Sequence, residues 1–586
     1  MKASHPSPRA IRSGLDVKLA LGDAVVESLQ ALSQEQGLGP LPPEWEGRAR
    51  AIEVPKDPAF GDFASGAAMA TAGHFRMAPR RIAEALADRL RKLAGAGDGA
   101  SSLPPSLRLT SVEVAGPGFV NMRLDGRWLL EVACSLLREG PRAGVPDIGQ
   151  GRRVQVEFVS ANPTGPMNVV NARAAAVGDA MARLLEAVGF RVTREYYVND
   201  AGRQARLFAE SVAARMAELL GEPHVFPEEG YPGEYVRDIA AELLREEPAL
   251  ARMSQAERVA RLRDVAVDRM LERQRRDLEA FGVHFDVWFR ERTLHEQGRV
   301  QQVLQELERR GFLYEAEGAR WLRSTAFGDD KDRVVVKSDG ALTYLASDIA
   351  YHDDKFRRGF DLVIDIWGPD HHGYVARMKA AMQALGYAPE RLEIVILQLV
   401  SLVRGGEAVR MSKRAGEFVT LAELLEEVGA DAARYFFLQR SPESPVEVDL
   451  DLATLQSMDN PVYYVQYAHA RICSVFRQAQ AEGVELPGEV TADQLAVLQS
   501  PHEQAVLKAL AAYAEEVRDA ALRREPQRIV QYVYHLASAF HSFYNEHRLL
   551  DPDPSTRRAR LALAEATRRV LADALGLLGI SAPERM

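Results

Sequence analysis

Residues 157–173 read Glu-Phe-Val-Ser-Ala-Asn-Pro-Thr-Gly-Pro-Met-Asn-Val-Val-Asn-Ala-Arg, a strand-like run that breaks into a Pro/Gly loop and resumes as a helix pattern. A loop leading from a strand end into a helix N-terminus offers unpaired backbone N–H groups and the positive end of the helix dipole, which suit a triphosphate. Far downstream, Arg410-Met411-Ser412-Lys413-Arg414 lies between Gly406 and Gly416. A glycine-flanked basic loop can carry Lys413 and Arg414 to the charge that develops when a phosphoryl group is displaced. Taken alone, that loop reads as readily as a solvated basic turn. A third stretch, Trp367 to Tyr374, follows the strand-like Asp361–Ile366, and residues outside the carboxyl ends of such strands line ligand crevices. Asp370 there can accept from a ribose hydroxyl, with His371 and His372 beside it. A metal would need further ligands at suitable spacing, and none is found, so no metal is expected.

These stretches need a scaffold. With 586 residues, 47% of them hydrophobic and 27% charged, the chain can bury several cores and is expected to hold three or more domains. Over 1–127, helix patterns (Val17 to Gln34, Pro79 to Leu93) combine with strand-like runs (Leu107 to Val114, Phe119 to Leu124) around a Gly116-Pro117-Gly118 hairpin turn, which predicts a small α+β domain. A helix pattern from Trp128 to Glu139 and a Gly/Pro-rich stretch make 128–150 a linker. From 151 to 420 the pattern is α/β, with strands at Val154–Val159 and Arg191–Tyr197 around a helix at Ala172–Gly189. A charged helical insertion over about 200–310 splits the sheet, which resumes at Arg333–Lys337, Asp361–Ile366 and Leu392–Gln398. Residues 421–586 read as almost wholly helical.

The net charge of −10 gives no hint of a nucleic-acid partner. Local clusters at Arg523-Arg524, Arg557-Arg558, Arg560 and Arg568-Arg569 are candidates for a basic stripe, with solvated helix faces as the competing reading. Cys134 and Cys473 lie on amphipathic helix patterns, which predicts buried thiols. No apolar h-region opens the chain and no run of about 18 apolar residues interrupts it, so a cytoplasmic protein that does not enter the membrane is expected.

Together the motifs resemble those of class I aminoacyl-tRNA synthetases of the arginyl family. That family's first signature reads Ser-Ala-Asn-Pro-Thr-Gly-Pro-Leu-His-Val-Gly-His-Gly-Arg-Gly, against Ser-Ala-Asn-Pro-Thr-Gly-Pro-Met-Asn-Val-Val-Asn-Ala-Arg-Ala at 160–174 here, and Ala175 to Asp179 continue the match. Met411-Ser412-Lys413 matches its Lys-Met-Ser-Lys loop, with Arg410 in place of the first lysine. The resemblance runs from about residue 15 to the C-terminus. It implies an α/β fold: a class I Rossmann-like catalytic domain with a helical insertion, an N-terminal α+β additional domain that touches the tRNA elbow, and a C-terminal all-α anticodon-binding domain. The activity implied is ATP-dependent activation of L-arginine and its transfer to tRNA(Arg), with Mg²⁺ accompanying the nucleotide, by a monomer.

Position matching extends the resemblance to individual residues. Glu157, Ser160, Asn162, Tyr344, Asp348 and His372 would hold arginine, whose planar guanidinium needs a bidentate carboxylate acceptor, here Glu157 and Asp348. Pro163, Thr164, Gly165, Pro166, Val170, Asp370, His371 and Met411 would meet ATP. Asn168, Asn171, Ser412, Lys413 and Arg414 would act on the phosphates. Tyr463, Gln466, Tyr467 and Arg471 would bind tRNA, the two tyrosines sharing a helix face suited to stacking on unpaired bases. On periodicity alone, these tyrosines better suit packing inside a bundle.

Besides Arg410, the chain departs from the family within its first signature. Asn168 and Asn171 stand where the family has histidines that bond the ATP phosphates, and Val170 stands where a glycine lets adenine lie on bare backbone. Asparagine keeps an NH₂ donor but is never protonated. A branched side chain under a ligand ring costs roughly 1–3 kcal/mol, and a lost transition-state donor about 2.7–4 kcal/mol. Activation is therefore expected to slow by ~10³–10⁵. Two other functions fit the same motifs: a non-catalytic tRNA-binding or regulatory paralogue, and a ligase or nucleotidyltransferase of related fold with another acceptor.

Overall fold

The structure is a computed structural model that describes residues 17–55, 57–95, 103, 107–409 and 419–586. Arg410, Met411, Ser412, Lys413 and Arg414 lie outside the described residues. No helix among those described is long and apolar enough to cross a membrane.

In the N-terminal domain, helices Val17–Glu35 and Pro79–Gly95 pack beside an antiparallel sheet ordered Ile52–Glu53, Phe63–Ser65, Phe119–Leu124, Leu109–Ala115. Ala115 pairs with Phe119 across the expected hairpin, whose Gly116 takes the positive φ (53°) that the turn demands. The stretch read as a linker is in part a packed helix. Arg127–Glu139 buries Trp128, Leu129, Val132 and Leu136 and contacts the C-terminal helices Pro501–Ala511 and Pro554–Leu577.

The central sheet is five-stranded and all parallel: β1 (Arg153–Glu157), β2 (Arg191–Val198), β3 (Val287–Arg290), β4 (Leu362–Trp367) and β5 (Leu392–Ile396), in the spatial order β5-β4-β1-β2-β3. Helix α1 (Val169–Ala187) follows β1, and α2 (Tyr344–Arg357) precedes β4. The close seating of α1 depends on Gly178, because a Cβ there would lie 2.1 Å from Cγ of the buried Phe158. Two sequence expectations change. The insertion is built from helices Arg203–Leu219, Glu234–Glu246 and Gln255–Ala280, but β3, also inside that range, belongs to the main sheet. Conversely, Arg333–Val336 joins a separate antiparallel sheet with Leu313–Ala316 and Ala319–Leu322. Four-residue strands carry too little periodicity to reveal which sheet they join.

Beyond the sheet come α3 (Leu421–Leu438), α4 (Pro461–Ala481) and a helical bundle, broken by one strand, Val446–Asp449, that pairs with Val400–Arg404. One guanidinium joins three regions. The fully buried Arg434 of α3 pairs with Asp179 of α1, and donates to the carbonyls of Leu578 (2.8 Å) and Phe281 (3.1 Å). Cys134 and Cys473 are buried free thiols.

Candidate active site

A cavity of about 1540 Å³ opens at the carboxyl ends of β1 and β4, bounded by the 160–171 loop, α2, the insertion and the start of α3. The chain turns sharply after β1: Val159 and Ser160 take φ of 68° and 41°. A β-branched residue rarely adopts that conformation, so the surrounding contacts must hold it there. Ser160 supplies one such contact, its Oγ donating to Glu157 Oε1 (2.9 Å) and accepting from the Tyr197 N–H (3.1 Å).

One end of the cavity is acidic. Glu157 and Asp348 both line it. Asp348 accepts from the Tyr374 hydroxyl (2.7 Å), and burial raises its carboxyl above the usual range. Glu157 is raised as well, by burial first, although Lys355 pulls against that. Its Oε2 is bonded to Lys355 Nζ at 2.5 Å, and with Oε1 already bonded by Ser160 it presents no free bidentate face. The expected pair is therefore together but unequal, with Asp348 the more available acceptor. Glu291, which sequence reasoning missed, is buried nearby, and the Tyr197 hydroxyl is driven up by burial and by Glu291, Asp348 and Glu157 around it. Nothing in the local sequence marks Glu291, since it opens a six-residue helix that belongs to no motif.

The other end is the loop into α1. Gln274 of the insertion holds it from beneath, donating to the carbonyls of Asn162 (3.1 Å) and Gly165 (2.8 Å), while the Tyr235 hydroxyl donates to the Thr164 carbonyl (2.8 Å). Asn162, Thr164, Gly165 and Pro166 line the cavity; Pro163 is buried outside its lining. Asn168 and Asn171 form a reciprocal cap on α1. Asn168 Oδ1 accepts from the N–H groups of Val170 (3.0 Å) and Asn171 (3.1 Å), and Asn171 Oδ1 accepts from the Asn168 N–H (3.2 Å). The carbonyl ends of both side chains thus satisfy amides that an anion would otherwise bind, leaving only their NH₂ groups for a ligand. Val170, 42% exposed, projects at the cavity wall. Thr420 and Glu423, which cap α3 by the same reciprocal pattern, close this side, and the Leu421 N–H donates to the Met167 carbonyl (2.8 Å).

Other expected contacts are displaced. Tyr344 is 75% exposed at the first position of α2 and lies outside the cavity lining; the hydroxyl that meets Asp348 belongs to Tyr374. One turn of helix separates Tyr344 from Asp348 and carries the ring beyond the rim. His371 lines the cavity against Trp367 (ring centroids 5.9 Å apart), whereas Asp370 and His372 are exposed away from it. The 3-10 turn Pro369–Tyr374 spaces successive side chains too widely for all three to face inward.

On α4, Tyr463 and Tyr467 stack in parallel (5.9 Å, 13°), and the Arg471 guanidinium sits 4.5 Å from the Tyr467 ring and 4.6 Å from that of Tyr544. These rings are half-buried at the surface. Gln466 is not part of that face. It is buried and donates to Asp431 (2.8 Å) and the Ser581 carbonyl (3.0 Å), tying the C-terminal tail to α3. The basic clusters are largely paired within the fold: Arg560 with Glu503 and Asp551, Arg568 and Arg569 with Glu565, Arg524 with Glu393.

Comparison with known proteins covers nearly the whole chain. The family described as tRNA synthetases class I (R), catalytic domain, matches residues 134–442; the arginyl tRNA synthetase N terminal domain matches 20–124; the DALR anticodon binding domain matches 465–586. The arginine–tRNA ligase of Moorella thermoacetica is 50% identical over 543 residues, 91% of this chain and 93% of that protein. That of Heliobacterium modesticaldum is 46% identical over 576 residues, 97% of this chain and 99% of the relative. The solved arginyl-tRNA synthetase of Thermus thermophilus, at 23% identity, covers 97% of this chain and all of its own with a TM-score of 0.74, a likeness of fold. With its N-terminal, catalytic and anticodon-binding segments all matched, and 50% identity to such a relative over 91% of its length, the chain belongs to the arginyl-tRNA synthetase family.

Proposed function

We propose that this chain activates L-arginine with ATP and transfers it to tRNA(Arg). The arginine carboxylate displaces pyrophosphate from ATP, and the adenylate then passes the aminoacyl group to the tRNA. The observation that carries this reading is the acidic end of the cavity, where Asp348, oriented by Tyr374, faces a volume with Glu157 and Glu291 close by. A guanidinium is the substrate group that such a wall favours. Asn162 takes the substrate's polar head. Ser160 keeps Glu157 and the strained turn in place, and Tyr374 takes over the role first given to Tyr344.

The loop from Thr164 to Pro166, with Val170 and His371, holds ATP, and Mg²⁺ accompanies the nucleotide. Lys413, Ser412 and Arg414 meet its phosphates, with Met411 at the nucleotide. The NH₂ groups of Asn168 and Asn171 replace two imidazoles. Because the cap already uses the Val170 and Asn171 amides, activation is slower than with histidines. Tyr463, Tyr467 and Arg471 stack on unpaired tRNA bases. The working unit is a cytoplasmic monomer with an additional domain over 1–127, a catalytic domain over 151–420 and an anticodon-binding domain over 421–586.

Arginine-dependent ATP–pyrophosphate exchange with tRNA present tests the reading, beside a tRNA-binding titration. Exchange that requires arginine and is not supported by lysine is the expected result. Tight tRNA binding without exchange, restored by Asn168→His/Val170→Gly/Asn171→His, would make the chain a tRNA-binding paralogue instead. Tyr467→Ala weakens tRNA binding by about 1–3 kcal/mol while leaving exchange at saturating tRNA intact.

A further inference from the structure

Three adjacent parallel strands bring a carboxylate to the same level. Asp365 of β4 pairs in register with Glu157 of β1, and Glu157 with Glu195 of β2, so their side chains share one face of the sheet about 4.8 Å from strand to strand. Asp365 and Glu195 are completely buried and Glu157 nearly so. Such a row is untenable without compensation. Helix α2 and its C-cap supply it at one-turn intervals. Arg358 grips Glu195 with two bonds (2.5 and 2.8 Å), and Lys355, wholly buried, bridges Glu157 (2.5 Å) and Asp365 (2.6 Å). That sets two cations against three carboxylates.

His352 is the remaining partner. Its Nε2 lies 2.7 Å from Asp365 Oδ2 and its Nδ1 lies 2.7 Å from the Asp348 carbonyl oxygen. Both neighbours are acceptors, so each ring nitrogen must donate, which requires a proton on both. That proton sets a third cation against the row. The groups facing His352 from the elements around it are the carboxylates of Asp365 and Glu157, the carboxylate of Asp348 and ammonium of Lys355 on its own helix, and the rings of Tyr351 and Trp367.

We propose that Asp365, Lys355 and His352 form a positioning layer behind the arginine pocket, in which a doubly protonated His352 fixes the helical turn that carries Asp348 while Lys355 fixes Glu157. This rests on the proposed reading of the cavity as an arginine site. Asp365 and Lys355 lie outside the cavity lining and His352 borders it beside Asp348, so the layer is expected to act on the arginine end.

The test has two parts. In wild-type protein labelled with ¹⁵N-histidine, the His352 ring, assigned by its disappearance in His352→Gln, is expected to show a proton on each nitrogen, both held in hydrogen bonds. A single protonated nitrogen there overturns the proposal. In pyrophosphate exchange, His352→Gln and Asp365→Asn are expected to raise the arginine KM by about tenfold or more and to leave the ATP KM within about twofold. Equal changes in both KM values, or an unchanged arginine KM, also overturn it. Wild-type protein without arginine-dependent exchange would sink the proposed function and leave the ring-nitrogen result standing, so the two failures are separable.

Discussion

The two ends of the cavity satisfy their polar groups by opposite routes. At the acidic end, ionised side chains from three strands and one helix neutralise one another, and Asp348 is left for a ligand. At the phosphate end, neutral asparagines close back on their own backbone and use up amides that would otherwise face a ligand. The first arrangement prepares a site before substrate arrives; the second must be partly opened by it. Within the first signature the sequence departs from its family at the second end, so its function is expected to be weakened there rather than redirected.

The comparison breaks most severely if the compensated end loses a cation. Lys355→Met leaves Glu157 and Asp365 side by side without their shared ammonium, and is expected to cost about 3–5 kcal/mol of stability by urea titration. Next in size is the opposite manipulation. Asn168→His/Val170→Gly/Asn171→His should raise the exchange rate by about 10²–10³ with little change in arginine KM, because it restores donors and removes a branched side chain; a rate that stays flat would mean that the asparagine cap is a working phosphate site. Asp348→Asn removes one charged acceptor and is expected to lower kcat/KM for arginine by about 10- to 150-fold, equivalent to about 1.5–3 kcal/mol.

A smaller effect lies in the acid dependence of stability. Burial works against the Asp365 carboxylate, yet Lys355 and His352 outweigh it and hold its pKa down to about 2, while Glu157 beside it is raised and takes the first proton. Since the Asp365 value lies below its unfolded value of 3.8, its stabilisation is complete above about pH 4 and is lost as pH falls towards 2. Asp365→Asn is expected to flatten that part of the stability curve, read by thermal melts across pH 2–5. The smallest effect sits at the cap. Asn168→Ala is expected to destabilise α1 by about 1 kcal/mol, measurable as a small drop in Tm, while freeing two N–H groups towards the cavity.

Much of the scaffold was legible because long periodic runs reveal their element. The helices Val17–Glu35 and Arg127–Glu139, the strands β1, β2 and β4, and the helical C-terminal region stand close to where the pattern puts them. Short strands were not, and β3 was absorbed into the helical insertion for that reason. At the site, the family resemblance implied that Glu157 and Asp348 belong to one cavity but not that Lys355 occupies one of them. Matching also named Tyr344, Gln466, Asp370 and His372, residues that the fold turns outward or buries in other bonds.

The chain's composition and periodicity determined the kinds of elements, their order, and the Pro/Gly loop between a strand and a helix, because these depend on neighbours within a few residues. Which carboxylates stand side by side, which cation answers each, and which way an asparagine amide points were decided only in the tertiary structure. Asp365, Glu157 and Glu195 are far apart along the chain, and they become one row only when parallel strands align in register.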